Sequence, residues 1–246
     1  MSWIPADWPA PSGVHAGATT REGGTSTGVY ASLNLGAHVG DAPAAVAQNR
    51  ARLCRLLRLP VEPAWLEQVH GTRVVDLAGD RTDVPADAAV SAAPDTVCAV
   101  LTADCLPVVL CSRDGRVVGV AHAGWRGLAA GVVEATVAAL VRVGAAPADL
   151  LAWLGPCIGP GAYEVGDEVR EAFTASDPGA VGAFSANARG RWQADLPEIA
   201  RQRLARAGVT RVYGGDLCTA SDATRFYSHR RDGRCGRLAT LVWRSR

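Results

Sequence analysis

Residues 96–127 read TVCAVLTADCLPVVLCSRDGRVVGVAHAGWRG, and this stretch decides the fold. Three short apolar runs, 96–102, 107–111 and 117–121, read as strands. Asp114-Gly115 between the last two is a two-residue hairpin signal that pairs Arg113 with Arg116. Carried down the ladder, that register sets His122 opposite Pro107. Cys105 shares the face parity of Pro107 and lies one diagonal step away, where Cα atoms are roughly 7–8 Å apart. A bulge at Pro107 would shift the count.

Outward from this hairpin the pattern alternates. A short strand is expected near 13–19, within a Gly-, Thr- and Ser-rich stretch over 11–40. A helix follows over 43–59, with Asp41 and Pro43 as its start signals and Val46, Leu53, Leu56 and Leu57 on one face. Further strands are expected at 64–68, 73–77, 87–90, 150–154, 210–213 and 238–243. Helices are expected at 128–143, stopped by Gly144, at 166–175, and at 197–207, ended by Gly208. Hairpins mixed with helices indicate an α+β fold rather than a doubly wound parallel sheet. With no low-complexity linker and no fixed repeat, 1–246 reads as a single domain.

The 246 residues can bury a substantial core, and 48% of them are hydrophobic. The net charge of +1 comes without a run of like charge, so neither nucleic acid nor an anionic membrane is expected as a partner. All 25 basic residues are arginine, which removes Schiff-base and P-loop lysine chemistry. The start lacks signal-peptide features, and the longest apolar stretch, 128–143, is interrupted by Glu134 and Arg142. Seven cysteines without close spacing fit free thiols and a cytoplasmic location.

Three segments carry most of the chemistry: Gln68-Val69-His70-Gly71, Thr102-Ala103-Asp104-Cys105, and His122-Ala123-Gly124-Trp125-Arg126-Gly127. One cysteine and two histidines suit zinc, with Zn–S near 2.3 Å and Zn–N near 2.0 Å, and three protein ligands leave a fourth position for water. Periodicity alone does not bring His70 to the other two, and a lone cysteine or histidine is ordinarily packing. Arg126, in a strand–glycine turn–helix junction, reads either as a grip on phosphate or carboxylate or as a solvated side chain. Asp104 reads as a general acid/base, as a ligand-orienting group, or as the partner of an arginine. The loop 23–28 lacks phosphate-loop spacing and reads as a surface turn. Cys157 reads as a buried thiol, and the 218–219 and 226–231 segments as pocket lining or loop pairing.

At these segments the chain resembles the YfiH/YlmD family, also called the laccase-domain or polyphenol-oxidase-like family. The resemblance extends through Thr20-Arg21-Glu22-Gly23-Gly24, Ser32-Leu33-Asn34-Leu35-Gly36, Gly40-Asp41, Asn49-Arg50, Gly155-Pro156-Cys157-Ile158-Gly159-Pro160, Tyr163-Glu164-Val165-Gly166 and Arg230-Arg231-Asp232-Gly233. Gly161 departs from it, since many relatives carry a bulkier residue there. The resemblance implies a mixed-sheet α/β sandwich related to a toxin-type cysteine hydrolase. It implies His70, Cys105 and His122 as the metal ligands, with zinc as the expected metal and copper as the alternative. It further implies phosphorolysis of adenosine, inosine or methylthioadenosine by inorganic phosphate, together with adenosine deamination.

On this basis Cys105, His122 and Asp104 are the expected catalytic residues, and Arg126, Arg50, Asn34 and Gln68 the expected substrate contacts. The N-terminus of helix 128–143 is a further candidate for the phosphate. Five histidines, with His15 and His38 outside any ligand spacing, are too few for a four-copper relay. The His-x-Glu and Pro-Cys-x-x-Cys signature of zinc deaminases is absent. Two alternatives stand beside the phosphorylase: a hydrolase of a peptidoglycan precursor, using zinc or Cys105 itself, and a metal-stabilised binding protein without turnover. The oligomeric state is not legible.

Overall fold

The computed structural model describes residues 2–79, 84–175 and 177–245. In chain order it contains β1 (Trp3–Pro5), β2 (Val14–Thr19), α1 (Pro43–Leu57), β3 (Ala64–Trp65), β4 (Val74–Asp76), β5 (Ala88–Ser91), β6 (Val97–Thr102), β7 (Leu106–Ser112) and β8 (Val118–Ala123). Then come α2 (Trp125–Ala130), α3 (Val132–Arg142), β9 (Leu150–Leu154), β10 (Glu164–Val165), α4 (Asp167–Thr174), β11 (Phe184–Ala186), β12 (Trp192–Ala194), α5 (Leu196–Arg206), β13 (Arg211–Gly214), α6 (His229–Asp232) and β14 (Leu238–Arg244).

Strand alternation builds the layers. A six-stranded mixed sheet runs β13-β9-β7-β8-β5-β4, and a five-stranded one β1-β2-β14-β6-β3. Val109, Val118, Val120 and Trp153 of the first sheet share a core with Cys98, Val100 and Val242 of the second. The alternate residues Val108, Leu110 and Ala121 face Leu128, Val133, Val137 and Leu140 of α2 and α3 and Ile199 and Leu204 of α5. Across the molecule, Val97, Ala99 and Leu241 pack on Leu53 of α1. The result is a helix–sheet–sheet–helix sandwich, the mixed α/β architecture expected from the sequence. A small sheet, β10-β12-β11, lies beyond that plan.

Two local expectations need correction. The helix expected at 128–143 begins at Trp125 and breaks into α2 and α3 at Gly131, whose φ of 101° no helical residue adopts. The six-residue α2 therefore replaces the long helix whose N-terminus was a phosphate candidate. Residues 64–68 form only the two-residue β3, because Gln68 pairs through its side chain instead.

Candidate metal centre

The β7–β8 ladder has the register read from the sequence, with Pro107 opposite His122 and Cys111 opposite Val118. Its turn is different from the one expected. Gly115 N–H donates to Ser112 O at 2.9 Å and Ser112 N–H to Val117 O at 3.0 Å, so the loop spans 113–116. A two-residue type I′ turn needs positive φ at both central residues. Only Gly115 adopts it, at 70°, while the Asp114 carboxylate accepts from Ser112 Oγ and Arg116 N–H. Pro107 introduces no register shift. His122 N–H bonds Asp87 O on the neighbouring strand, and Pro107 lies beyond the last paired rung of β9.

Cys105 sits in the bend before β7, next to Asp104 with φ of 89°. Its Sγ lies 3.8 Å from His70 Nε2, and ligand atoms of His70, Cys105 and His122 all fall within 4.8 Å of one another. The two imidazoles meet edge-on with centroids 4.7 Å apart. His122 is buried, Cys105 half-buried and His70 exposed. A Cβ on Gly124 would lie 2.8 Å from His70 Cδ2 and 3.0 Å from Cys105 Sγ, so a side chain there would press on two of the three groups.

The organising residue is Asp87, which the sequence reading placed in a strand without assigning it a role. Extending the β5–β8 register puts it opposite His122. Its side chain is fully buried and bonds His122 Nδ1 at 2.8 Å. The same carboxylate accepts from the N–H groups of Val69, His70 and Gly71 at 3.2, 2.9 and 2.7 Å. One anion thereby holds both the His122 ring and the loop that carries His70, whose own φ is 60°. Burial opposes ionisation of Asp87, yet the bonds to His122 and to the loop hold its carboxyl below its ordinary value. An acidic residue heading the apolar run Ala88-Ala89-Val90 was the available signal.

These groups fit a metal. Asp87 occupies Nδ1 of His122 and leaves Nε2 for an ion, the usual carboxylate–histidine arrangement around a metal. Burial would raise the Cys105 thiol, but the charge of His122 and hydrogen bonds from both histidines bring it down to about 6. A thiolate is the form that binds metal. Among the described residues this is the one group of three possible ligands found. His15 instead stacks on Trp243, and His229 Nδ1–H donates to Gly233 O.

The site opens into a cavity of about 490 Å³ whose walls include Gln68, Asp104, Trp125 and Arg126. Gln68 lines it, but its amide is committed to Leu101 N–H and O at 2.7 and 2.8 Å. Asp104 is buried on the cavity wall and accepts from Thr219 Oγ1, Ser228 Oγ and Arg230 N–H, so it pins the start of α6 and the segment before it. Asn34 and Arg50 do not line the cavity. Asn34 is fully buried, bridging Gly36, Asp41 and Arg237. Arg50 donates to Leu35 O and stacks on Trp65 at 4.3 Å. His38, Tyr163, His229, Arg230 and Arg237 also line it. Burial, then the charges of Arg237, Arg50 and His122, lower His38 below the ordinary imidazole value. His38 had been set aside for lack of spacing. Tyr163 and Arg230 lay in the motifs that carry the resemblance, without an assigned role.

Comparison with known proteins agrees with this picture. A family model described as multi-copper polyphenol oxidoreductase laccase matches residues 15–245. A purine nucleoside phosphorylase of Pseudomonas aeruginosa is 54% identical over 243 residues, with 98% of each chain covered. The Escherichia coli protein named purine nucleoside phosphorylase YfiH is 52% identical over 241 residues, again with 98% of each covered. The crystal structure of a Neisseria meningitidis protein matches with a TM-score of 0.93 at 46% identity, covering 100% of both chains. YlmD from Geobacillus stearothermophilus matches with a TM-score of 0.92 at 34% identity, over 100% of this chain and 97% of that one.

Proposed function

The chain belongs to the multi-copper polyphenol oxidoreductase laccase family, the YfiH/YlmD family its motifs resemble, and we propose that it is a purine nucleoside phosphorylase. The observation that carries this reading is identity above half, over nearly the whole chain, to relatives that bear that name. The cavity agrees with it: about 490 Å³ is within the usual range for small-molecule sites.

In the reaction a phosphate oxygen bonds to C1′ of the ribose as the bond from C1′ to the base nitrogen breaks. The electron pair leaves with the base, which takes up a proton. Adenosine, inosine and methylthioadenosine are the proposed substrates, with adenosine deamination as a second activity of the same cavity. His70, Cys105 and His122 would hold the metal, proposed to be zinc because a thiolate and two imidazoles suit it. When bound, zinc supplies Lewis acidity and a water that ionises near neutral pH. Asp87 keeps the His122 proton on Nδ1 and holds the His70 loop closed over the site. Asp104 acts as a positioning residue that ties the loop carrying Arg230 to the bend carrying Cys105.

The test is incubation of the zinc-loaded protein with inosine, with and without phosphate, following hypoxanthine and ribose 1-phosphate. Release that does not depend on phosphate would overturn the reading.

One observation favours a second reading, a cysteine hydrolase. In the metal-free chain the Cys105 thiol falls to about 6 while His122, despite burial, is raised to about 9 by the thiolate and by Asp87. That is the charge state of an activated thiolate–imidazolium pair. Under this reading alkylation of Cys105 abolishes activity and chelation does not. Under the zinc reading chelation abolishes it.

A further inference from the structure

The cavity wall is far more basic than the chain. The sequence holds 25 basic against 24 acidic residues, yet Arg126, Arg230 and Arg237 line the cavity against the single acid Asp104. The Asp104 carboxylate is taken up by Thr219, Ser228 and the Arg230 N–H. A wall segregated in this way favours an anion.

Three side chains locate it. Tyr163 is only 8% exposed and lines the cavity, yet its hydroxyl has no hydrogen-bond partner among the described residues. The hydroxyl is not among the buried unpartnered atoms and so reaches the cavity, where it is free to donate to a bound ligand. The Arg230 guanidinium lies 5.2 Å over the Tyr163 ring, with Nη1 anchored on Glu164 O at 2.8 Å. Arg126 stacks on Trp125 at 4.4 Å and has no hydrogen bond or ion pair to a described residue. Burial raises the Tyr163 phenol, the Cys105 thiolate adds to that, and the charges of Arg230 and Arg126 oppose it. Tyr163, Arg126 and Arg230 line the same cavity as Cys105. Arg237 differs, since its Nη1 is spent on Cys235 O and Gly236 O.

We infer that Tyr163, Arg126 and Arg230 form an oxyanion subsite that takes inorganic phosphate and, in the reverse direction, the phosphate of ribose 1-phosphate. Two planar guanidinium groups and one hydroxyl on the wall of one cavity supply donors to a tetrahedral anion. The choice of these two phosphates rests on the phosphorylase reading; the anion preference of the wall does not.

The test uses the zinc-loaded full chain, with phosphate binding by calorimetry beside the KM for phosphate and for ribose 1-phosphate. Arg126→Ala and Arg230→Ala are expected to weaken phosphate roughly tenfold to hundredfold, and Tyr163→Phe roughly tenfold, with the nucleoside KM little changed. Arg126→Lys and Arg230→Lys recover part of the loss, which a purely structural role for the arginine would not predict. Arg113→Ala, on the hairpin loop outside the cavity, leaves every constant as it was. Wild-type protein that does not bind phosphate overturns the subsite. So do Tyr163→Phe, Arg126→Ala and Arg230→Ala that bind phosphate as the wild type does. If phosphate binds with this variant pattern but no base is released, the subsite stands and the phosphorylase reading falls. If base is released with an unchanged phosphate KM in all three, the reverse holds.

Discussion

Cys105 and His122 come to the site along the β7–β8 ladder, whereas His70 comes on the loop 66–73, and the two regions are held by different means. On the ladder, main-chain bonds repeat at each rung, and a slip of one residue would turn Val109, Val118 and Val120 out of the inter-sheet core. Among the described residues, the loop has main-chain bonds only toward its two ends, where Glu67 O accepts from Ala86 N–H and Arg73 O from Asp87 and Ala88 N–H. Gln68 borrows a rung from Leu101, and Asp87 gathers three successive N–H groups. Burial of many residues secures the first region, whereas the middle of the second, around His70, is secured by two side chains. The loop is accordingly where single substitutions should matter most.

The largest effect is expected at Asp87. Asp87→Ala strands His122 Nδ1 and three loop N–H groups and removes a fully buried charge partner, for a loss of about 3–5 kcal/mol in urea denaturation. Zinc binding should fall with it. The pH dependence carries the same signature. The folded carboxyl lies below its unfolded value of about 3.9, so its contribution is complete above that value and disappears as pH falls through the folded one. Asp87→Asn should lack that acid segment of the stability curve.

Next come the two histidines, which should separate the regions. His122→Ala is expected to destabilise the apoprotein, because it leaves Asp87 without its buried partner. His70→Ala, at an exposed position, should change apoprotein stability by less than about 1 kcal/mol while removing zinc binding and turnover. If the wild type folds only with zinc and His70→Ala stays unfolded in its presence, the metal serves the fold, as in a binding protein without turnover.

Gln68→Ala should cost about 1–2 kcal/mol for its two main-chain bonds, read from the thermal midpoint. The smallest stability change is expected at Gly124→Ala, whose Cβ meets the loop's His70 and the Cys105 thiol rather than the core. Its thermal midpoint should barely move while zinc affinity drops roughly tenfold. A large midpoint shift would show the loop to be as rigid as the ladder.

How much of this was legible follows the range of the forces involved. Strand 150–154 and the helix starting at Pro43 were read closely, since alternation and Pro–Gly punctuation are local. The break at Gly131 was not, because a glycine within a helical pattern does not announce its φ. Arg50 and Asn34, expected as substrate contacts, lie outside the cavity lining and bond main-chain carbonyls instead, for a related reason. Polarity marks a residue as needing partners, but not whether those partners are ligand atoms or the carbonyls of Leu35 and Gly36.

The amino-acid order alone determined the strand pattern, the mixed α/β class, and the register that brings His122 and Cys105 to one face, because periodicity and ladder geometry act between near neighbours. The third ligand's arrival, Asp87 behind it, and the basic cavity walled by Tyr163, Arg126 and Arg230 were decided only in the folded chain. They join segments far apart in sequence, through hydrogen bonds and charges that have no period to read.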